Sequence, residues 1–227
     1  MIYAKDEKNN IVEANMAKKG RKYYCSGCHG QVILRCGKLR VSHFAHKKHA
    51  CDIFSEGETS EHLRGKKLLM TWLRKEGKDP QIEAYLTSLH QRPDILCNNK
   101  AFEFQCSPIS VERMSERSKG YISEGYDFFW FLGKRHLIKK RLTQQIAQFI
   151  RWHKNLGFYL IYINVEQRNM EVYYHIQQAD FLPVRFYRKK VNSWKELQDF
   201  FKQNRIKNYN LLSISERKRQ KNCFYRN

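Results

Sequence analysis

The segment from Gln91 to Pro108, QRPDILCNNKAFEFQCSP, carries the side chains best suited to chemistry. Asn98-Asn99 reads as a two-residue turn, because asparagine tolerates the positive φ that such turns need. A hairpin folded about that turn pairs Cys97 with Lys100, Leu96 with Ala101, Ile95 with Phe102 and Asp94 with Glu103. Gln105 shares the Glu103 face, and Arg92 stands opposite Gln105. Like charges facing each other across a ladder repel. A divalent cation between Asp94 and Glu103, Mg2+ or Mn2+, is the simplest compensation, with the main-chain carbonyl of Phe104 as an added ligand. A cation there polarises a phosphodiester and lowers the pKa of an attacking water. His62 and Lys66 lie four residues apart, on one face of a predicted helix. Lys66 supplies the positive charge that Gln105 lacks, and His62 accepts or donates a proton near neutral pH. Glu61 or Glu58 extends the metal shell, and Arg92 is positioned to clamp a phosphate oxygen. Arg117 and Tyr121 either contact the substrate backbone or pack against the sheet.

A second constellation precedes this one. Cys25-Ser26-Gly27-Cys28, His43-Phe44-Ala45-His46 and Cys51 have the spacing of a tetrahedral zinc set. The preferred ligands are Cys25, Cys28, His46 and Cys51, with His43 as substitute for His46; Cys36 is a bystander in a basic turn. A segment so small and polar has little core, so a structural Zn2+ would supply folding energy.

The elements that must position these residues follow from pattern. Residues 1–55 form an accessory zinc-binding module with short strands near Ile2–Ala4 and Gln31–Leu34. Residues 56–135 read as a core. Ser60–Lys75 is a helix with Ser55, Thr59 or Ser60 as N-cap, and Gln81–Leu86 is a strand after the Asp79-Pro80 break. The hairpin strands cover 92–97 and 101–106, Ser110 caps a helix to Ser123, and Tyr126–Leu132 is a strand buried on both faces. Residues 136–227 are a basic α+β extension. In it His136–Trp152 is amphipathic, strands fall near 158–165, 170–176 and 181–187, a helix covers 194–202, and the polar last fifteen or so residues are frayed.

Composition says what such a chain meets. The 227 residues carry 43 Lys and Arg against 22 Asp and Glu, a net charge of +21. An excess of that size points to a polyanion, and the clusters Lys139-Lys140-Arg141, Arg188-Lys189-Lys190 and Arg217-Lys218-Arg219 suggest a backbone-binding track. No long apolar run argues for membrane insertion. Seven cysteines, an odd number without a signal-peptide pattern, point to reduced thiols and a cytoplasmic location.

Together the residues resemble a known family. The order α-β-β-β-α-β, with Pro93-Asp94 and then Glu103-Phe104-Gln105, looks like the PD-(D/E)XK, restriction-endonuclease-like fold. More narrowly, the chain is similar to the bacterial competence protein CoiA family. The likeness rests on Tyr24–Cys28, His43–His46, Ser60–Arg64 with Lys66, Gln91–Ile95 and Glu103–Pro108. It implies an α/β nuclease core behind a zinc-finger-like front end, and a role in processing DNA taken up during transformation. Two departures stand out: Gln105 replaces the lysine of the wider fold, and the chain is short for the family, as if its C-terminal region were shortened. The expected activity is a Mg2+-dependent deoxyribonuclease acting on branched or single-stranded intermediates, with a homodimer and recombination partners as further expectations. The alternative is a DNA-binding recombination accessory whose core has lost catalysis.

Overall fold

A computed structural model describes residues 1–37, 40–46, 59–179 and 182–203. The chain divides into two compact units, residues 1–107 with 115–129, and residues 108–114 with 130 onward.

The first unit opens with five short strands: β1 (Tyr3–Lys5), β2 (Ile11–Glu13), β3 (Tyr23–Tyr24), β4 (Gln31–Gly37) and β5 (Arg40–His46). They form one antiparallel sheet in the order β2-β1-β3-β4-β5. Its small core consists of Met1, Ala4, Ala14, Tyr23, Cys25, Val32 and Phe44. Seven residues is a thin core for five strands, in keeping with the sequence's polarity.

Helix α1 (Ser60–Lys75) follows, capped by Thr59, whose hydroxyl accepts the amide of His62. It buries Leu68, Leu69, Met70, Trp72 and Leu73, and also Gly65 and Lys66. Gly65 is required by packing: a β-carbon there would drive into the Phe104 ring, so glycine lets the helix lie directly on the sheet.

The expected strand over 81–86 shortens to β6 (Gln81–Ile82). Glu83 turns out of the strand with φ of 48°, while its amide still reaches the Asp94 carbonyl at 3.0 Å. The hairpin forms with the expected turn: β7 (Ile95–Cys97) pairs with β8 (Lys100–Gln105) in the register Ile95–Phe102, Leu96–Ala101, Cys97–Lys100, and Asn98 takes the positive φ, 52°. The expected strand from 92 begins only at Ile95, so Asp94 lies outside the ladder and is not paired in it with Glu103. Helix α2 (Val111–Ser123) begins at Ser110, whose side chain accepts the Arg113 amide. Strand β9 (Asp127–Leu132) comes next, so that the strand order in this unit is β6-β7-β8-β9. The order α1, β6, β7, β8, α2, β9 is the α-β-β-β-α-β series read from the sequence.

In the second unit the end of β9 runs parallel to β11 (Gly157–Asn164), pairing Phe131 with Ile161 and Leu132 with Tyr162. The amphipathic stretch 136–152 resolves into a 3-10 turn at Lys134–His136, a single helical turn α3 (Gln144–Ala147), and the strand β10 (Arg151–His153), which pairs with β11. Strands β12 (Asn169–Gln177) and β13 (Arg185–Val191) complete the order β9-β11-β12-β13. Helix α4 (Trp194–Lys202) closes it, with Ser193 accepting the Glu196 amide and Glu196 accepting that of Asn192.

Candidate active site and metal centre

Asp94 stands one residue before β7, at the point where α1 crosses the hairpin. Three groups converge on it. His62 Nε2 lies 3.0 Å from Oδ2, the Phe104 amide donates to the same oxygen at 2.8 Å, and Lys66 Nζ lies 3.6 Å from Oδ1. Helical spacing produces the convergence: positions 62 and 66 fall on one face, and that face is pressed onto β8 through Gly65. His62 also stacks on the Phe104 ring, with centroids 5.9 Å apart. Burial alone would raise the Asp94 carboxyl. His62 and Lys66, together with the Phe104 amide, outweigh it and hold the group well below the usual carboxylate range.

Lys66 is 1 % exposed. A buried ammonium needs a close counter-charge, and Glu83 provides it at 2.7 Å. Glu83 is the residue that sequence reasoning missed. The available signal was an acid inside a segment read as a strand; the backbone turn at Glu83 that brings its carboxylate to Lys66 leaves no mark on local pattern.

Glu103, on the adjacent strand, is buried too, and its partners come from α2 instead. Arg117 and Tyr121 both donate to Glu103 Oε1. Arg117 also donates to the Arg92 carbonyl at 3.2 Å, which ties the helix to the strand entry. Burial pushes the Glu103 carboxyl above its ordinary value, against the opposing pull of Arg117; Asp94 adds to the rise. Tyr121 is fully buried against Glu103, so of its two expected roles packing replaces contact with a nucleic-acid backbone, and Arg117 is largely buried beside it. Both phenol and guanidinium point inward because Glu103 is the nearest acceptor in a dry setting.

The remaining expected residues are distributed as follows. Gln105 is buried and its amide donates to the Ser107 carbonyl at 2.7 Å. Arg92 places Nη1 2.9 Å from Met1 Sδ. Glu61 is half-buried on α1 and joins no metal-ligating group of three or more among the described residues. The Phe104 main chain reaches Asp94 through its amide. Lys139, Lys140 and Arg141 belong to the second unit and are exposed. Glu58, and the cluster at 217–219, lie outside the described residues. As donors, Asp94 and Glu103 are hard oxygens of the type that Mg2+ and Mn2+ take, with Asp94 held ionised.

The five-stranded sheet carries the second constellation. Cys25 Sγ, Cys28 Sγ and a His46 ring nitrogen all lie within 4.8 Å of one another. Cys28 Sγ is 3.3 Å from His46 Nε2, and the Gly27 amide points at Cys25 Sγ at 3.4 Å. A β-carbon at Gly30 would come within 3.3 Å of Cys28 Sγ, so glycine keeps the space beside the thiol open. Two sulfurs and an imidazole at these separations fit Zn2+. Burial, then the charges of Arg92 and the N-terminal ammonium, hold His46 below the usual histidine value, which favours the neutral, ligating imidazole. His43 sits three residues before His46 on β5, an odd step, and so on the other face of the strand. Cys51 lies outside the described residues.

Residues 58–205 match the family described as competence protein CoiA, nuclease-like domain, and residues 6–54 match competence protein CoiA, N-terminal domain. The chain is 32 % identical over 146 residues to the competence protein CoiA of Bacillus subtilis (strain 168), an alignment that covers 62 % of this chain and 39 % of that protein. No solved structure matches the chain. No helix among the described residues is long and apolar enough to cross a membrane. With a nuclease-like match over most of its length and an N-terminal match before it, the chain belongs to the competence protein CoiA family.

Proposed function

We propose that the chain is a metal-dependent DNA endonuclease acting on recombination or uptake intermediates during natural competence, with a PD-(D/E)XK type of core and a structural zinc module. The relative's name, a competence protein, and the nuclease-like match support this reading. The observation that carries it is the position of Lys66. The wider fold places a lysine two residues after the strand glutamate, where this chain has Gln105. Here an ammonium arrives instead from α1, 3.6 Å from Asp94. Read as a stand-in for that lysine, this ammonium favours a working centre over a decayed one.

Asp94 and Glu103 would hold Mg2+ or Mn2+; when bound, the ion polarises the scissile phosphate and lowers the pKa of the attacking water. Lys66, itself buried, acts through Asp94 and keeps that carboxylate ionised for the metal. His62, with Nε2 3.0 Å from Asp94 Oδ2, is the group proposed to pass a proton to the departing oxygen. Arg117 and Tyr121 orient Glu103. Glu83 keeps Lys66 charged and aimed when substrate is absent. Cys25, Cys28 and His46 would hold Zn2+ and brace the thin N-terminal sheet.

The test is a cleavage assay on linear, forked and four-way DNA with Mg2+, Mn2+ or EDTA. Wild type is compared with Asp94→Ala, Glu103→Ala and Lys66→Met, each checked for folding by circular dichroism. Cutting that needs the metal and is lost in all three folded variants is the expected result. Cutting that survives Asp94→Ala would sink the assigned centre. Tight binding without cutting on every substrate would establish the accessory role instead.

A further inference from the structure

Between Lys134 and Val165 the chain carries seven lysines and arginines and no aspartate or glutamate. In the middle of this stretch β10 and β11 form a hairpin in which Trp152 pairs directly with Phe158. Directly opposed residues on an antiparallel pair project from the same face, with β-carbons about 5 Å apart. Both are open to solvent: Trp152 is 66 % exposed and Phe158 is 53 % exposed. The chain's other tryptophans, Trp72, Trp130 and Trp194, are all buried. Neither Trp152 nor Phe158 stacks on another ring among the described residues.

Phe158 continues into a groove of about 640 Å³ lined by Leu142, Ala147, Ile150, Ile176, Gln177 and Gln178. One wall of it is anchored through the basic cluster. The Leu142 amide donates to Gln178 Oε1 at 2.8 Å, and the Lys140 carbonyl accepts from the Val184 amide at 2.9 Å. These bonds fix the backbone at 139–142 and leave the side chains of Lys139, Lys140 and Arg141 exposed. Lys154, in the turn between β10 and β11, adds a further exposed cation.

We propose that Trp152 and Phe158 form a stacking platform for the bases of single-stranded nucleic acid, with the 139–141 cluster neutralising its phosphates. The inference rests on the reading that the substrate is nucleic acid, and deepens it by naming the strand state. Charge decides the occupant. An apolar peptide would suit the groove but gains nothing from a surrounding field of one sign, and a second copy of this chain would be repelled by it. A single strand offers both a π-face for each ring and an anionic backbone for the lysines. Duplex DNA keeps its bases stacked away from such rings.

Because Trp152 is the exposed tryptophan, its fluorescence reports the event directly. The full chain is titrated with no added Mg2+ or Mn2+ and no chelator, which withholds the proposed catalytic ion and leaves zinc in place, with an oligothymidylate and with an abasic oligomer of the same length. The expected result is quenching by the oligothymidylate, little quenching by the abasic strand, and roughly tenfold or more weaker oligothymidylate binding in Trp152→Ala and Phe158→Ala, read by anisotropy. The abasic strand binds these variants as it binds wild type. Lys140→Ala combined with Arg141→Ala weakens both ligands and flattens the salt dependence. Equal affinity of wild type for the two strands, or unchanged oligothymidylate binding in Trp152→Ala, overturns the proposal. So does quenching that follows protein concentration without added strand, which would mean self-association. The readout involves no cleavage: quenching without cutting leaves the platform standing and removes the nuclease, whereas cutting without quenching does the reverse.

Discussion

Asp94, just before β7, and Glu103, on β8, live in opposite environments. Asp94 is served from α1 by His62 and Lys66, and is held low; Glu103 is served from α2 by Arg117 and Tyr121, and burial still holds it high. Pairs of titratable groups pushed apart in this way are what acid–base sites use to divide labour. Under the proposed function, the α1 side is the reactive side. Its partners are a histidine and a lysine, groups that can exchange a proton or meet a phosphate. The α2 side is a clamp, built from a guanidinium that never loses its charge and a phenol locked in the interior.

The largest effect that sharpens this contrast is on Glu103. Glu103→Ala leaves Arg117 buried without its carboxylate, so unfolding free energy in urea should fall by about 3–5 kcal/mol. Cleavage should drop to the level of an EDTA control. Asp94→Ala should abolish cleavage equally while costing less stability, since Lys66 keeps Glu83. Equal losses of stability would break the distinction between clamp and reactive side.

Next comes Lys66→Met, which isolates Glu83 in a buried position and should cost about 3 kcal/mol or more. Adding Glu83→Gln should restore much of that stability and none of the activity. Recovery of cleavage in the double variant would show that Lys66 is structural.

The glycines on the two helices provide a smaller test. At Gly65 a β-carbon meets the rigid Phe104 ring, whereas at Gly120 it meets the movable Gln91 side-chain amide. Gly65→Ala should therefore cost about 1–3 kcal/mol by overpacking and shift α1 together with His62 and Lys66. Gly120→Ala should cost less and leave activity near wild type, as judged by thermal unfolding and cleavage rate.

The smallest effect is on pH dependence. A carboxyl lowered in the folded state contributes stability above its unfolded pKa of about 3.9, and loses it as pH falls. One that is raised does the opposite, favouring the fold below about 4.3 and losing that contribution as pH rises through the folded value. Asp94→Asn should thus flatten the loss of stability toward acid, and Glu103→Gln should steepen it, in urea titrations from pH 3 to 7. Slopes that change in the same direction would contradict the opposed environments.

The same contrast marks where residue order sufficed. The hairpin's turn and its first three pairs were legible, because Asn98-Asn99 specifies the turn and the two-residue period fixes the partners next to it; the expected pairing of Asp94 with Glu103 was not, since the ladder ends at Ile95. Helix α1 was legible from its N-cap to its last turn, and with it the shared face of His62 and Lys66. The Cys25, Cys28 and His46 grouping was legible as spacing. Glu83 was not, since its role depends on a left-handed backbone step in a short strand. Nor was the inward turn of Tyr121, because a helical stripe carries no label for which acceptor lies beneath it. The stretch 136–152 showed its charge and amphipathic character, but its exposed aromatic pair arises only once β10 finds β11.

Local chemistry therefore marked the candidate acids, the helix face that carries His62 and Lys66, the thiol spacing and the basic character of the chain. Long-range packing assigned each acid its partner, brought a glutamate to the buried lysine and set Trp152 beside Phe158 in solvent. Turns and helices are governed by neighbours a few residues apart, and residue order records those directly. Burial, ion pairing and cross-strand contact depend on groups tens of residues away, and their energies exist only when the chain has closed around them.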